Sequence, residues 1–329
     1  MKPDFLENTI WAEAVINSGK IVSDTFYYPY IIPFGSNLLA LPFVLMFGTG
    51  LLANQLAMLL YFLIYLIAVS LLARSLYDSL TDRCLFISIV SSFVYTYAGI
   101  NILHHLLYYG IAFACFLGSL GSCINIIKKH RTKRYLIILA VWCLWAASNG
   151  ITTFVLSNGA LFLSVLLYCY LSETGSHVFK QQVPTLLCIL IASAAGLVLN
   201  RAVTAGANDL GGVGARFALT NSSQMVENLI LNFLSDYLKC FYAVGEGVSI
   251  FSLKGLVILI RILFALTVLF LSVFLSIHNL KKMSSPQLFT VIGSAMVSLI
   301  CFSQYILTVS NERYLFNLVF STFMILAVN

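Results

Sequence analysis

No aspartate or glutamate falls inside any of the long apolar runs that recur along this chain. This constrains the fold more than any motif does. Uncharged runs of about 20 residues are what a helix needs to cross the hydrocarbon core of a bilayer. A backbone in that core must satisfy its own hydrogen bonds, which leaves helices as the spanning elements for such runs. The runs lie near 51–73, 84–103, 106–127, 135–149, 151–171, 184–200, 251–276, 287–309 and 315–329. Only 9% of the 329 residues are charged and 60% are hydrophobic. A soluble domain carries about a quarter charged residues, so that class is excluded. The chain reads as all-α: a polytopic helical membrane protein with about nine transmembrane helices and further interfacial helices on the exoplasmic face. The runs at 135–149 and 184–200 are short and call for a thinned bilayer or snorkelling ends.

Lysines and arginines in short loops mark the cytoplasmic side. The strongest signal is Lys128-Lys129-His130-Arg131-Thr132-Lys133-Arg134. Counting spans outward from it puts Arg74, Arg83, Lys180, Lys281 and Lys282 on the same side. The segment Lys2–Gly50, His104 and His105, Asn149, the 201–250 loop and Asn311-Glu312-Arg313 then face outside. An outside N-terminus with no preceding span reads as a fragment lacking its first transmembrane helix, and the apolar run that stops at Asn329 reads as a second truncation. A single membrane domain covers 1–329: the first outer segment 1–50, six spans in 51–200, the outer loop 201–250 and three spans in 251–329. The net charge of +6 comes largely from positive-inside loops, so no nucleic-acid partner is implied. The eight cysteines are scattered singly without a CxxC or Cys/His cluster, and read as small core residues.

The carboxylates are lopsided. Asp4, Glu7, Glu13, Asp24, Asp209, Glu227, Asp236, Glu246 and Glu312 fall outside, against Asp78, Asp82 and Glu173 inside. Ion-coupled transporters commonly keep carboxylates at mid-membrane. Carboxylates gathered at one face suit surface chemistry on a lipid-linked substrate better, although outer loops also need solvation.

Within the first segment, Asp4–Ser18 has helical periodicity. Phe5, Leu6, Ile10, Trp11, Ala14 and Val15 lie on one side, and Asp4, Glu7, Asn8 and Asn17 on the other. Gly19-Lys20 is a helix stop. An aromatic, proline-rich loop follows, then a short apolar run from Asn37 to Phe47 that ends at Gly48. The stretch AGANDLGGVGARF, with Gly206, Gly211, Gly212 and Gly214, lacks the strand and GK[ST] of a phosphate loop and reads as flexible loop. From Gln224 to Val244 the pattern is helical again. Asn228, Asn232, Ser235, Asp236 and Lys239 share one face, with Leu229, Phe233, Leu234, Tyr237, Leu238 and Phe241 on the other. A second interfacial helix fits this pattern, either closing over the outer surface or only packing there.

Four polar features bear on chemistry. Asp4 heads the first surface helix, as a site residue or an N-cap. His104 and His105 share an outer turn; neighbours on a helix diverge, so at most one faces a site, as a ligand or as a satisfied interfacial histidine. Arg261 interrupts the apolar run FSLKGLVILIRILFALTVLF, where a buried arginine is costly and marks function, unless it snorkels or pairs with a neighbouring helix. In Asn311-Glu312-Arg313-Tyr314, Arg313 can hold a phosphate by a bidentate fork or serve as an interfacial anchor.

The order of these features resembles the GT-C superfamily of integral-membrane glycosyltransferases, which use polyprenyl-phosphate-linked sugars. The matching positions are Asp4, Trp11, Ala12, Gly19 and Lys20; Pro33, Phe34, Gly35, Pro42, Phe47 and Gly48 in a PFG…P…FG pattern; and the late pair Arg313-Tyr314. The layout covers nearly the whole chain, while each motif is short and degenerate. The resemblance implies an exoplasmic active site beneath the first and fourth outer loops, with Asp4 as base or metal ligand. It implies basic residues on the donor phosphate, for which Arg313, Arg261 and His105 are the candidates. A divalent metal, Mg or Mn, is the one cofactor it allows. It places the protein in a plasma membrane, bacterial by this resemblance, among membrane lipids, with a lipid-linked sugar donor and a glycan or lipid acceptor as partners. The chain departs from the adjacent Asp-Glu pair of many such enzymes: it has Asp4-Phe5, with Glu7 on the same helical face as a substitute carboxylate. The chemistry is coherent, since a phosphate leaving group needs charge stabilisation and an acceptor hydroxyl needs a base. The competing expectations are a flippase or transporter for lipid-linked glycans, and a non-catalytic membrane protein of the same fold.

Overall fold

The computed structural model describes residues 7–24, 26–28, 31–104, 110–129, 132–172, 175–209, 220–245, 247–249, 251–308 and 312–329. In chain order its elements begin with α1 (Glu7–Ser18), β1 (Tyr27–Tyr28), α2 (Ser36–Phe47), α3 (Leu51–Leu76), α4 (Leu80–Ser92) and α5 (Tyr97–His104). Then follow α6 (Ile111–Ile127), α7 (Thr132–Ser148), α8 (Ile151–Leu171, with a π-turn at Val155–Gly159) and α9 (Gly175–Thr204). After β2 (Asn208–Asp209), α10 runs as Ser222–Glu227, widens into a π-turn at Asn228–Asn232 and ends as Phe233–Lys239. The last helices are α11 (Leu253–Asn279), α12 (Ser285–Leu307) and α13 (Phe316–Val328), with a 3₁₀ turn at Glu312–Leu315 before α13. The regular elements among the described residues are all helices except for one short parallel pairing, Tyr27 with Asn208 and Tyr28 with Asp209.

Five of these helices are long and apolar enough to cross a membrane: 51–76, 151–171, 177–204, 253–279 and 285–307. Shorter apolar helices occupy 111–127 and 316–328. The short run at 184–200 is the middle of the 30-residue α9, with Pro184 inside it, so it needs no thinned bilayer. Its polar first turns hid its length. The run at 84–103 is not one helix. It breaks at a 3₁₀ turn, Phe93–Tyr95, where the Thr96 hydroxyl donates to Phe93 O (2.7 Å) and accepts from the Gly99 N–H (2.9 Å). All the residues around this break are apolar or small, so hydropathy passes over it.

The chain forms two compact units. The first comprises 1–78 and 102–215, and the second 79–101 and 216–329. In the first unit, α3, α6, α7 and α9 pack side by side in that order, α8 lies against α9, and α1 and α2 pack on the start of α3. Small residues permit this. A Cβ on Gly196 of α9 would sit 2.6 Å from Leu144 O and 2.7 Å from the Ala147 Cβ of α7. A Cβ on Gly118 of α6 would collide with the indole of Trp142. Close backbone approach over glycine is how membrane helices gain packing when lipid and protein are equally apolar. Polar side chains add bonds between helices: Asn158, at the π-turn of α8, donates to Cys143 O and to Ser193 Oγ, both at 2.8 Å.

In the second unit, α13 is the central helix and packs on α4, α11 and α12. Rings of Phe93, Phe241, Phe264, Phe320 and Phe323 interlock around it. By contrast α11 exposes large apolar side chains along most of its length, including Ile260, Leu263, Phe270, Phe274 and Ile277. Such a surface belongs in lipid rather than water. Six of the cysteines are buried, Cys188 is half-buried and Cys84 exposed, and all eight are free thiols.

Candidate functional site

The helices α1 and α2 and the turn between them fold as a cap on one end of the first unit. α1 ends where expected: Gly19 takes φ +66° and its N–H bonds Val15 O at 2.9 Å, a left-handed stop that glycine adopts without strain. Its buried face consists of Asn8, Thr9, Trp11 and Ala12, while Ile10 is exposed. The expected assignment of Asn8 to the polar side and Ile10 to the apolar side is therefore reversed. The reason is that α1 is gripped from two directions, by Ala40, Val44, Ala53 and Ala57 around Ala12, and by Val22 and Ile32 around Trp11. Beyond the stop, the Lys20 ammonium bonds Asp24 (2.5 Å) and holds that exposed carboxyl below its ordinary range.

The proline-rich turn is fixed by two bonds from far along the chain. Phe34 N–H donates to Asn149 Oδ1 (3.0 Å), and Trp145 Nε1–H donates to Phe34 O (2.9 Å). Asn149 is fully buried and its amide also donates to Trp145 O at 2.9 Å. Asn200 of α9 donates to Ser148 O at 2.8 Å, tying a third element to the same point. The Phe34-Gly35 pair of the PFG pattern thus sits at the C-terminal end of α7. The basic loop adjoins its N-terminal end, about 25 Å away for a 17-residue helix. The short β1–β2 pairing joins the same segment to Asn208 and Asp209, just beyond α9.

The second unit contains a separate polar cluster on α10. An interfacial helix would turn Asn228 and Asp236 toward water; both are buried instead. Asn228 Nδ2 reaches the carbonyls of Tyr305 (3.3 Å), Ile306 (3.3 Å) and Thr308 (3.0 Å), which end α12 without intrahelical partners. Asp236 accepts from Tyr305 Oη and from Lys239 Nζ, both at 2.8 Å. The apolar side chains Leu229, Ile230, Leu231 and Leu234 face outward. The two faces found by periodicity do not sort cleanly: Asn228 and Asp236 turn inward because α12 supplies partners there, Ser235 and Lys239 are exposed, and Tyr237 and Phe241 of the apolar face are buried.

The expected site residues fare unequally. Asp4 and His105 lie outside the described residues, and the side chains of Glu7 and Arg313 outside the described atoms. Glu7 opens α1, and Arg313 lies in the 3₁₀ turn before α13. Tyr314 is half-buried in that turn. Arg261 is exposed, not buried as its apolar run suggests. It is paired as well: Nη1–H donates to Tyr242 O (3.3 Å), and the guanidinium lies 5.5 Å from the centre of the Tyr242 ring. That ring meets Tyr97 edge-on, and Tyr97 meets Phe316 at 6.0 Å. Arg261 is therefore linked through aromatic contacts to the first turn of α13, two residues beyond Tyr314. Among the described residues no group of three His, Cys, Asp or Glu side chains is placed to hold a metal. Sequence reasoning missed Trp145 and Tyr305, which carry no signal beyond being aromatic in apolar runs. The chain matches no family model, no curated protein and no solved structure.

Proposed function

We propose that the chain is an integral-membrane glycosyltransferase of the GT-C type, with about nine spans, its active face outside and its place a bacterial plasma membrane. In this reading it moves a sugar from a polyprenyl-phosphate donor to an outside acceptor. The observation that supports it is the cap. The segment bearing the resemblance folds onto one end of the first unit, and the Phe34 of its PFG pattern is held by Asn149 and Trp145. A cap tied to a helical bundle by bonds remote in sequence is a suitable frame for two carboxylates at a membrane surface.

The chemistry assigned is as follows. Asp4, assisted by Glu7, accepts the proton of the acceptor hydroxyl as its oxygen attacks the anomeric carbon. The bond from that carbon to the donor phosphate oxygen breaks, and polyprenyl phosphate leaves with the electron pair. Arg313, Arg261 and His105 neutralise the charge that builds on the phosphate, with Tyr314 positioning it. Removing a general base costs on the order of 10²–10⁴-fold in rate.

The test is donor turnover by membranes containing the protein, with a panel of polyprenyl-phosphate sugars and candidate acceptors. The expected result is turnover of one donor, lost at least about a hundredfold in Asp4→Asn at equal expression. Turnover unaffected by the substitution removes Asp4 from the mechanism. Turnover of no donor with any acceptor overturns the reading.

A further inference from the structure

At the other end of the first unit lies a cavity of about 760 Å³ between α3, α6 and α7. It is distinct from the cap, because Ser75 in its wall is 24 residues along α3 from Leu51, about 36 Å of helix. Its mouth carries Arg74, Lys128 and Arg134, with Asp78 as the one carboxylate. All three cations are exposed, and none is ion-paired among the described residues. Its interior is polar on one side and apolar on the other. On the polar side, Asn125 Nδ2 donates to Ser75 Oγ (2.7 Å) and to Gly121 O (2.8 Å). The amide is thereby fixed with both donor hydrogens engaged, and its Oδ1 remains as an acceptor. On the apolar side are Leu71, Ile138 and the Trp142 indole that rests on Gly118.

Positive-inside topology explains cations at this end, but it requires no cavity and no fixed amide. The volume falls in the range of small-molecule sites, about 300–1,000 Å³. Two arginine forks and a lysine suit a phosphate, and basic pockets between spanning helices are where anionic headgroups bind. A hydroxyl on the headgroup would find the free Asn125 Oδ1. Leu71 is 44% exposed, so the apolar wall opens toward the lipid-facing side and gives an acyl chain a way out.

We propose that this cavity binds an anionic phospholipid with a hydroxyl-bearing headgroup, its phosphate held by Arg74, Arg134 and Lys128 and its headgroup hydroxyl by Asn125. The site is independent of sugar transfer and stands or falls without it.

The test is binding to the purified full chain in detergent, read by native mass spectrometry and by titration with a fluorescent phosphatidylglycerol. Phosphatidylcholine and soluble glycerol phosphate serve as competitors. The expected result is saturable phosphatidylglycerol binding that phosphatidylcholine displaces poorly. Arg74→Gln and Arg134→Gln each weaken it about tenfold, as the loss of one charge-assisted bond predicts. Both arginines are exposed, so these variants keep the fold, and Ile138→Trp, which fills the cavity without touching a charge, is a separate block. Lys281→Gln with Lys282→Gln, basic residues of the second unit, leaves binding unchanged. Equal weakening by that control pair would mean surface electrostatics alone and overturn the proposal. So would displacement by soluble glycerol phosphate at the affinity of the lipid, which would make this a soluble-phosphate site.

Discussion

Asn149 shows how much one side chain organises. It is fully buried, accepts from Phe34 N–H and donates to Trp145 O, so it joins the cap to the end of α7. Asn149→Ala leaves the Phe34 N–H without its partner and removes a second bond. The expected loss is about 1–3 kcal/mol, since an unpaired buried polar group costs more than the net value of the bond it made. Thermal unfolding in detergent and limited proteolysis across 19–35 measure it; Asn17→Ala, on the exposed side of α1, is the control and should change neither. If the cap resists protease equally in Asn149→Ala, the turn is held by packing around Ile32 instead. Arg261 teaches a related point: an arginine in an apolar run marks cost, yet its burial depends on whether a neighbour such as Tyr242 meets it at the surface.

That the elements are helices was readable from the sequence, while five of them are long and apolar enough to cross a membrane. The stops at Gly19 and Gly48 follow from backbone freedom, with φ +66° and +74°. Their packing order was not readable, because every run is apolar on all sides. Glycine fixes it. Gly196→Leu places a side chain where Leu144 O and Ala147 already lie, so α9 must move away from α7. Overpacking of this kind costs about 1–3 kcal/mol or more, and it also strains the Asn200 to Ser148 bond near that end of α9. Val198→Leu, two residues on and 70% exposed, should be neutral. A lowered melting temperature for the first and not the second, compared at equal detergent, checks the α7–α9 contact; equal melting temperatures count against it.

For the whole molecule, the measurable property is sidedness. The cap and the basic loop lie at opposite ends of α7 in the first unit. A single cysteine at Asn17 should react with a membrane-impermeant maleimide in intact cells. One at Lys129 should react only after the membrane is opened. Both would be placed in a Cys84→Ser background, because Cys84 is the one exposed native thiol. Labelling of both positions in intact cells would contradict a spanning first unit, and the reverse pattern would invert the proposed active face.

The sequence by itself determined the solvent. Apolar runs of span length without a carboxylate, basic loops and few charges commit the chain to helices in a bilayer, because an exposed backbone cannot be satisfied there. It also marked where α1 and α2 stop. Tertiary structure alone decided which polar groups turn inward, where the 84–103 run breaks, and that α9 extends well beyond its apolar middle. The physical reason is the same in each case. Between lipid and protein interior there is no hydrophobic difference to read, so placement rests on close backbone contact and on hydrogen-bond partners remote in sequence. Asn228 finds carbonyls near residue 306, Phe34 finds Asn149, and Asn125 finds Ser75. No local pattern records such pairings.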